Sequence, residues 1–423
     1  MRHPGGEAQV RLLRMSAQHP QSASVAWVGS ALGVAQLIAW GTIYYAIAVI
    51  GDPMQRDLAL SRGELFGVFT GSLALSGLLT PWAGRLVDRI GGRTVLVAGA
   101  ALGALGFGVL ACAKSVWTLG VGWTIEGVAM ALGLYDTCFA ALGQAAPQAY
   151  RRGVTAVTLI AGLASSCFWP ISHYLVDALG WRATCGVFVI LLLLCVPIYL
   201  SVLPPHARGS SALGERAVDA PRVAAAAAAT HTPARMLALA FAGTALVSGA
   251  LSSHLVGALG ALHFTPVHAV WIASSIGVMQ VLGRFVELRF GAGMSAHGLG
   301  LLTFGGITGS LILLLFSEAV PVVVLLFAAL YGTANGVLTI VKALVPVQMF
   351  GTREVGTVLG RFAAPSLIAR AAAPWAFAFS EQLLGGAKGA IVMLAGIAVV
   401  SLGIYAGVLR RVASGWSRAS LGR

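Results

Sequence analysis

Glu126 and Asp136 stand ten residues apart in a stretch, 116–145, that holds no other charged residue. Arg361 and Arg370 stand nine apart in a second stretch, 354–381, and each is followed four residues later by a proline, Pro365 and Pro374. Both stretches are otherwise apolar and long enough to cross a bilayer. An ionised side chain at the centre of a bilayer costs at least about 2.5–3.5 kcal/mol on insertion scales, so such residues are paired or functional. At 1.5 Å per residue, Glu126 and Arg370 fall in the outer half of the membrane and Asp136 and Arg361 in the inner half. Two chemistries fit these levels. In one, Glu126–Arg370 and Asp136–Arg361 are fixed or gating salt bridges, or each acid satisfies neighbouring Trp, Tyr and Thr groups. In the other, Arg370, with Arg361, receives an anion while Glu126 or Asp136 takes up a proton. Lys342 lies near the inner end of its own apolar stretch, from which it can snorkel to the headgroups.

Polar and aromatic residues elsewhere add candidates. Gln36, Trp40 and Tyr44 follow i, i+4, i+8 spacing and share one helix face. His173 and His254 fall near outer ends of apolar runs. Cys112, Cys138, Cys167, Cys185 and Cys195 show neither CxxC nor Cys/His ligand spacing, so they read as small buried hydrophobes, with no metal site and no cofactor. A metalloid path through Cys138 and Cys167 is the weaker alternative. No GxxxxGK[ST] loop and no Ser/His/Asp constellation points to ATP use or to an enzyme.

The elements that carry these residues follow from composition. The chain is 58% hydrophobic and 10% charged, with mean hydropathy +0.87. Soluble domains carry about 25% charged residues. The apolar residues form twelve runs: 25–50, 61–83, 93–113, 116–145, 152–178, 182–203, 234–262, 266–290, 296–317, 320–349, 354–381 and 386–412. Each is long enough for a hydrocarbon core of about 30 Å, and continuous hydrophobicity argues against a barrel. The expected fold is an all-α membrane protein with twelve transmembrane helices. Residues 1–24 read as an uncleaved tail, 204–233 as a polar linker between six spans and six, and 413–423 as a C-terminal tail. The prolines of span 11 are expected to kink it.

Positive charge sets the orientation. With the N-terminus inside, 20 of the 27 Lys and Arg face the cytoplasm, five face outside and two, Arg361 and Arg370, lie within span 11. Both termini are therefore expected in the cytoplasm. The net charge of +13 belongs to membrane-flanking loops, which argues against a nucleic-acid partner.

Two short charged hinges interrupt the apolar pattern. The first runs Gly84-Arg85-Leu86-Val87-Asp88-Arg89-Ile90-Gly91-Gly92-Arg93. The second runs Gly283-Arg284-Phe285-Val286-Glu287-Leu288-Arg289-Phe290-Gly291, 199 residues later. Tyr135-Asp136 and Ala334-Asn335 are separated by the same offset. A repeat of six spans related by an axis along the membrane normal explains both correspondences.

The first hinge, Gly-x-Leu-x-Asp-Arg-x-Gly-x-Arg, resembles the loop 2–3 signature of the major facilitator superfamily. That resemblance implies two pseudo-symmetric six-helix bundles around a midplane site. It implies a conformational latch in which Asp88, with Gly84, Arg89, Gly91 and Arg93, meets the start of span 11 at 352–357. Glu287, with Gly283, Arg284 and Arg289, would meet the start of span 5 near Arg152 and Gly153. It places spans 1, 4, 7 and 10 around the cavity, where the polar and aromatic residues are Gln36, Trp40, Tyr44, Tyr45, Tyr135, Asp136, Ser252, Ser253, His254, Tyr331 and Asn335, and so nominates Gln36, Trp40, Tyr44, Tyr135, His254, Tyr331 and Asn335, with Arg370, for substrate. Tyr150-Arg151-Arg152-Gly153, Pro170, Gly180-Trp181-Arg182 and 277–284 are similar to the monocarboxylate-porter and oxalate/formate-antiporter branch. Gln280, where that branch often has Asp, and a span 1 without Lys depart from it. The implied protein is a monomeric, proton-coupled secondary transporter of a small organic anion. Its expected setting is the plasma membrane, the inner membrane of a bacterium, with substrate, protons and lipid as partners. An exporter of hydrophobic compounds or metalloids, and a transport-inactive sensor, are the rival readings.

Overall fold

A computed structural model describes residues 21–205, 231–317, 320–350 and 355–421, and every regular element in them is helical. Twelve apolar spans are present among the described residues. Eleven helical stretches are long and apolar enough to cross a membrane, and the longest is two spans merged. Gly180, at φ 79° and ψ 161°, breaks Ala164–Val202 where span 5 turns into span 6. That backbone region is essentially restricted to glycine. Gly91, at φ 86°, does the same between spans 2 (Arg62–Ile90) and 3 (Gly92–Ala111).

Local chemistry sets where several helices start. Ser61 and Glu64 form a reciprocal capping box at the head of span 2: the Glu64 amide donates to Ser61 Oγ and the Ser61 amide to Glu64 Oε2. Ser115 and Thr118 do so for span 4. Thr265 and Ser295 cap span 8 (Pro266–Phe290) and span 9 (Ala296–Phe316). Each cap satisfies amides that would otherwise have no partner.

The halves pack alike. Span 1 lies on 5, 2 on 4, and 3 on 4 and 6; in the second half 7 lies on 11, 8 on 10, and 9 on 10 and 12. The outward faces carry large exposed apolar side chains such as Leu78, Trp117, Val278, Leu302 and Val399, a surface suited to lipid and not to water. Between the halves, spans 2 and 11 run together most extensively.

Spans 1 and 4 depart from simple helices. Span 1 consists of Gln21–Ala39, a π-helical turn at Trp40–Tyr45, and Ile47–Asp57. Span 4 breaks at Leu134, whose extended backbone separates Val116–Gly133 from Tyr135–Ala145. Span 12, Ala387–Leu421, continues as helix through 413–421, where the sequence suggested a tail. Span 11 is a helix, Val355–Leu383, with Pro365 and Pro374 inside it. The segments 1–20 and 206–230, which hold most of the expected N-terminal tail and linker, lie outside the described residues.

Gly180→Ala is expected to cost about 1–3 kcal/mol, seen as a lower unfolding temperature in detergent. Gly186→Ala, where nothing lies within 4 Å of the added carbon, serves as the control.

Candidate functional site

At the end of the bundles that carries the two hinges, Asp88 faces the first turn of span 11. Gly356 N donates to Asp88 Oδ1 at 3.1 Å, and Thr357 donates to Oδ2 through both its amide and its hydroxyl at 2.7 Å. A carboxylate at a helix N-terminus is doubly favoured, by free amides and by the helix dipole. The approach requires glycine on both sides, since a Cβ at Gly84 or Gly356 would run into the other's backbone. Residues 352–354 of the expected partner segment lie outside the described residues. Gln144, which composition does not single out, ties this hinge to the end of span 4. Its amide accepts from Gly92 N and donates to Val87 O, each at 3.0 Å. Arg85 and Arg89 are exposed and Arg93 is half-buried.

The second hinge is built differently. Glu287 Oε1 pairs with Arg151 Nη2 at 2.9 Å, and Oε2 accepts from Thr155 Oγ1 at 2.8 Å. Arg151 also donates to the Met294 carbonyl. Arg152, the neighbour anticipated from sequence, is exposed, because consecutive residues point about 100° apart around a helix while 151 and 155 share a face. Arg284 holds the place in its hinge that exposed Arg85 holds in the first, yet it is 6% exposed. Its Nε donates to Gly336 O of span 10 at 3.2 Å, and its guanidinium lies against Gly162 of span 5, where a Cβ would collide with it. Gly283 packs on the span 10 backbone at Thr333.

The intramembrane charges sit in arrangements that neither sequence pairing anticipates. Glu126 is fully buried and faces Gly106 of span 3; neither carboxylate oxygen has a hydrogen-bond partner. It lies inside the first bundle, with Trp123 Nε1 a second buried orphan on the same span. Asp136 occupies the first turn of Tyr135–Ala145, within electrostatic reach of Lys342 on span 10, and Lys342 is in turn within reach of Arg370. The close ion pairs among the described residues are Arg151–Glu287, His173–Asp177 and Arg182–Asp57. Glu126–Arg370 and Asp136–Arg361 are not formed; Arg361 and Arg370 are exposed on span 11.

The remaining candidates divide between packing and open surface. Gln36 is fully buried, and its Nε2 donates to the Gly133 carbonyl freed by the break in span 4, at 2.7 Å. Trp40, Tyr44 and Tyr135 are half-buried and mutually in contact, with centroids 5.0 Å apart for Trp40–Tyr44 and 4.9 Å for Trp40–Tyr135. Tyr45 and Trp169 extend this group. Tyr45, a span 1 cavity residue outside the i, i+4, i+8 set, joins Trp40 through the π turn. In the second bundle Ser248 Oγ donates to Asn335 Oδ1 at 2.9 Å, beside buried Tyr331. His254 Nε2 lies 3.1 Å from Pro374 O, and the ring stacks on Phe377. Ser252 and Ser253 donate to carbonyls of their own helix. Cys138 is buried and Cys167 half-buried. Among the described residues no three His, Cys, Asp or Glu side chains converge as a metal site.

Spans 1 and 4 thus carry a group of aromatic rings, and spans 8, 10 and 11 carry the cations Arg284, Lys342 and Arg370. Arg284 is within electrostatic reach of Tyr45 and Tyr135, and Arg370 of Tyr45 and Tyr331.

Solved structures share this architecture. The human organic anion transporter MFSD10 (TETRAN) superposes with a TM-score of 0.70 at 17% identity, covering 92% of this chain and all of its own. FucP in its outward conformation superposes with a TM-score of 0.70 at 13% identity, covering 89% of this chain and 98% of its own. A variant of the E. coli fucose:proton symporter FucP gives 0.66 at 15% identity, with 89% and 98% covered. No curated protein matches the chain by sequence. A family model for the Major Facilitator Superfamily matches residues 32–374. A multi-pass chain of two six-helix bundles, matched by that model over most of its length, belongs to the Major Facilitator Superfamily.

Proposed function

We propose that the protein is a proton-coupled carrier of a small organic anion, working by alternating access. The observation that carries the anion reading is the imbalance of charge at the seam between the bundles. Arg284, Lys342 and Arg370 lie within electrostatic reach of the same group of tyrosines or of one another, against Asp136 as the acid near Lys342, while Glu287 is already paired with Arg151. A cluster of cations in a low-dielectric seam is unfavourable by itself and is relieved by an anion. The organic-anion cargo of the human relative agrees with this class. So does the similarity of 150–182 and 277–284 to the monocarboxylate-porter and oxalate/formate-antiporter branch.

Asp136 is the acid suited to the coupling proton. It stands at the seam beside Lys342 and so can exchange partners as the bundles move, whereas Glu126 is enclosed within one bundle. The hinges act as latches in this reading. Asp88 on span 11 and Glu287 on Arg151 and Thr155 join the bundles at one end, and rocking must break both. With the termini in the cytoplasm, as the charge distribution suggests, that closed end is the cytoplasmic one. The moving bodies are 25–203 and 234–412, joined through 204–233, and the setting is a bacterial inner membrane.

Arg370→Gln should weaken anion binding about 10–100-fold, the loss of one charged hydrogen-bond donor, as measured by equilibrium binding in nanodiscs. A hydrophobic-compound exporter would tolerate the change. Asp136→Asn should abolish uptake driven by a proton gradient in proteoliposomes yet leave substrate exchange intact, while Glu126→Gln should alter neither. Loss of gradient-driven uptake in Glu126→Gln alone would move the proton site into the first bundle. Asp88→Asn should raise the population open at the hinge end about tenfold, read from spin-label distances across that end.

A further inference from the structure

The π-helical turn at Trp40–Tyr45 determines which rings meet at the seam. In an unbroken α-helix Tyr44 would share the face of Trp40 and Tyr45 would point about 140° away from Trp40. A π turn holds more residues, so positions i and i+5 align. Trp40 consequently contacts both tyrosines, at centroid distances of 5.0 Å to Tyr44 and 6.1 Å to Tyr45. Tyr135, first residue after the break in span 4, lies 4.9 Å from Trp40, and Trp169 of span 5 meets Tyr45 edge-on at 6.1 Å.

These rings sit at the edge of the core: Tyr135 stacks on buried Phe139 at 5.2 Å, yet the group keeps open surface. Trp40, Tyr44, Tyr45 and Tyr135 are half-buried and Trp169 is 48% exposed. Trp123 and Tyr199, by contrast, are sealed in the core. The group also holds an unmet donor: Trp40 Nε1 is buried and has no hydrogen-bond partner. An orphaned N–H costs about 1–3 kcal/mol when nothing accepts from it, and an acceptor on a bound molecule would remove that cost. Arg284 and Arg370 lie within electrostatic reach of Tyr45. Aromatic faces and an orphaned N–H therefore meet on spans 1, 4 and 5, and the second bundle brings the buried guanidinium of Arg284 against Gly162 of that same span 5.

We propose that the transported anion is an aryl carboxylate, its ring packed against Trp40, Tyr45 and Tyr135 and its carboxylate directed to Arg284 and Arg370. This rests on the organic-anion reading above and narrows it. The polarised faces and edges of Trp and Tyr favour a planar aromatic ring over a saturated ring of the same size.

Binding of phenylacetate, cyclohexylacetate and phenylacetamide to the full chain in nanodiscs, by titration calorimetry, tests the proposal. Phenylacetate should bind about tenfold tighter than cyclohexylacetate, and Tyr45→Leu and Trp40→Leu should each shrink that ratio toward one. The Tyr45→Leu protein, checked as monodisperse, guards against misfolding in the tryptophan variant. Equal binding of the two acids would overturn the aryl assignment and leave the anion reading intact. Phenylacetamide binding as tightly as phenylacetate would overturn the anion reading and retain the aromatic one. Failure of both acids to bind would overturn both.

Discussion

In hydrocarbon no backbone amide or carbonyl can turn to water, and the departures from helix in this protein are shaped by that constraint. The π turn in span 1 loosens carbonyls, and Thr42 Oγ1 donates to Ile38 O at 2.8 Å. The break in span 4 frees two more. Thr137 Oγ1 covers Ala131 O at 2.9 Å, and Gln36 Nε2 reaches across from span 1 to Gly133 O. The two irregular spans therefore repair each other. Without Gln36 the break would leave a bare carbonyl at mid-membrane, and without the break Tyr135 and Asp136 would not open a new helix.

The same constraint explains why the hinges differ despite their matching sequence. Asp88 meets free amides because span 11 begins beside it. Glu287 meets side chains at the start of span 5, the cation of Arg151 and the hydroxyl of Thr155, and takes no amide. An equivalent position thus has two different partners, one made of backbone and one of side chains. Arg85 and Arg284 diverge for a related reason. The first hinge closes tightly on span 11 through Gly84 and Gly356, leaving its arginine outside, whereas Gly162 leaves room beside span 8 for a guanidinium.

Charge placement follows from these contacts. The acids of span 4 are ten residues apart, yet one is enclosed by spans 3 and 4 and the other looks across the seam. The break at Leu134 resets the helix between them, so their relative direction is not that of a continuous helix. Lys342, which could have served only as a headgroup anchor, is the cation that the seam brings towards Asp136.

Span number, the six-plus-six repeat and the two hinge acids were legible in the amino-acid sequence, because each is written in local composition: a long apolar run, an offset, an isolated carboxylate. Direction around a helix axis was not. A helix that is apolar on all sides has no periodicity to mark its inward face, so the inward turn of Glu126, the burial of Arg284 and the pairing of Arg151 over Arg152 came only from packing. Tyr45 shows the limit most clearly. Its type was visible, but its place beside Trp40 depends on one wide turn that a spacing rule for regular helices cannot contain.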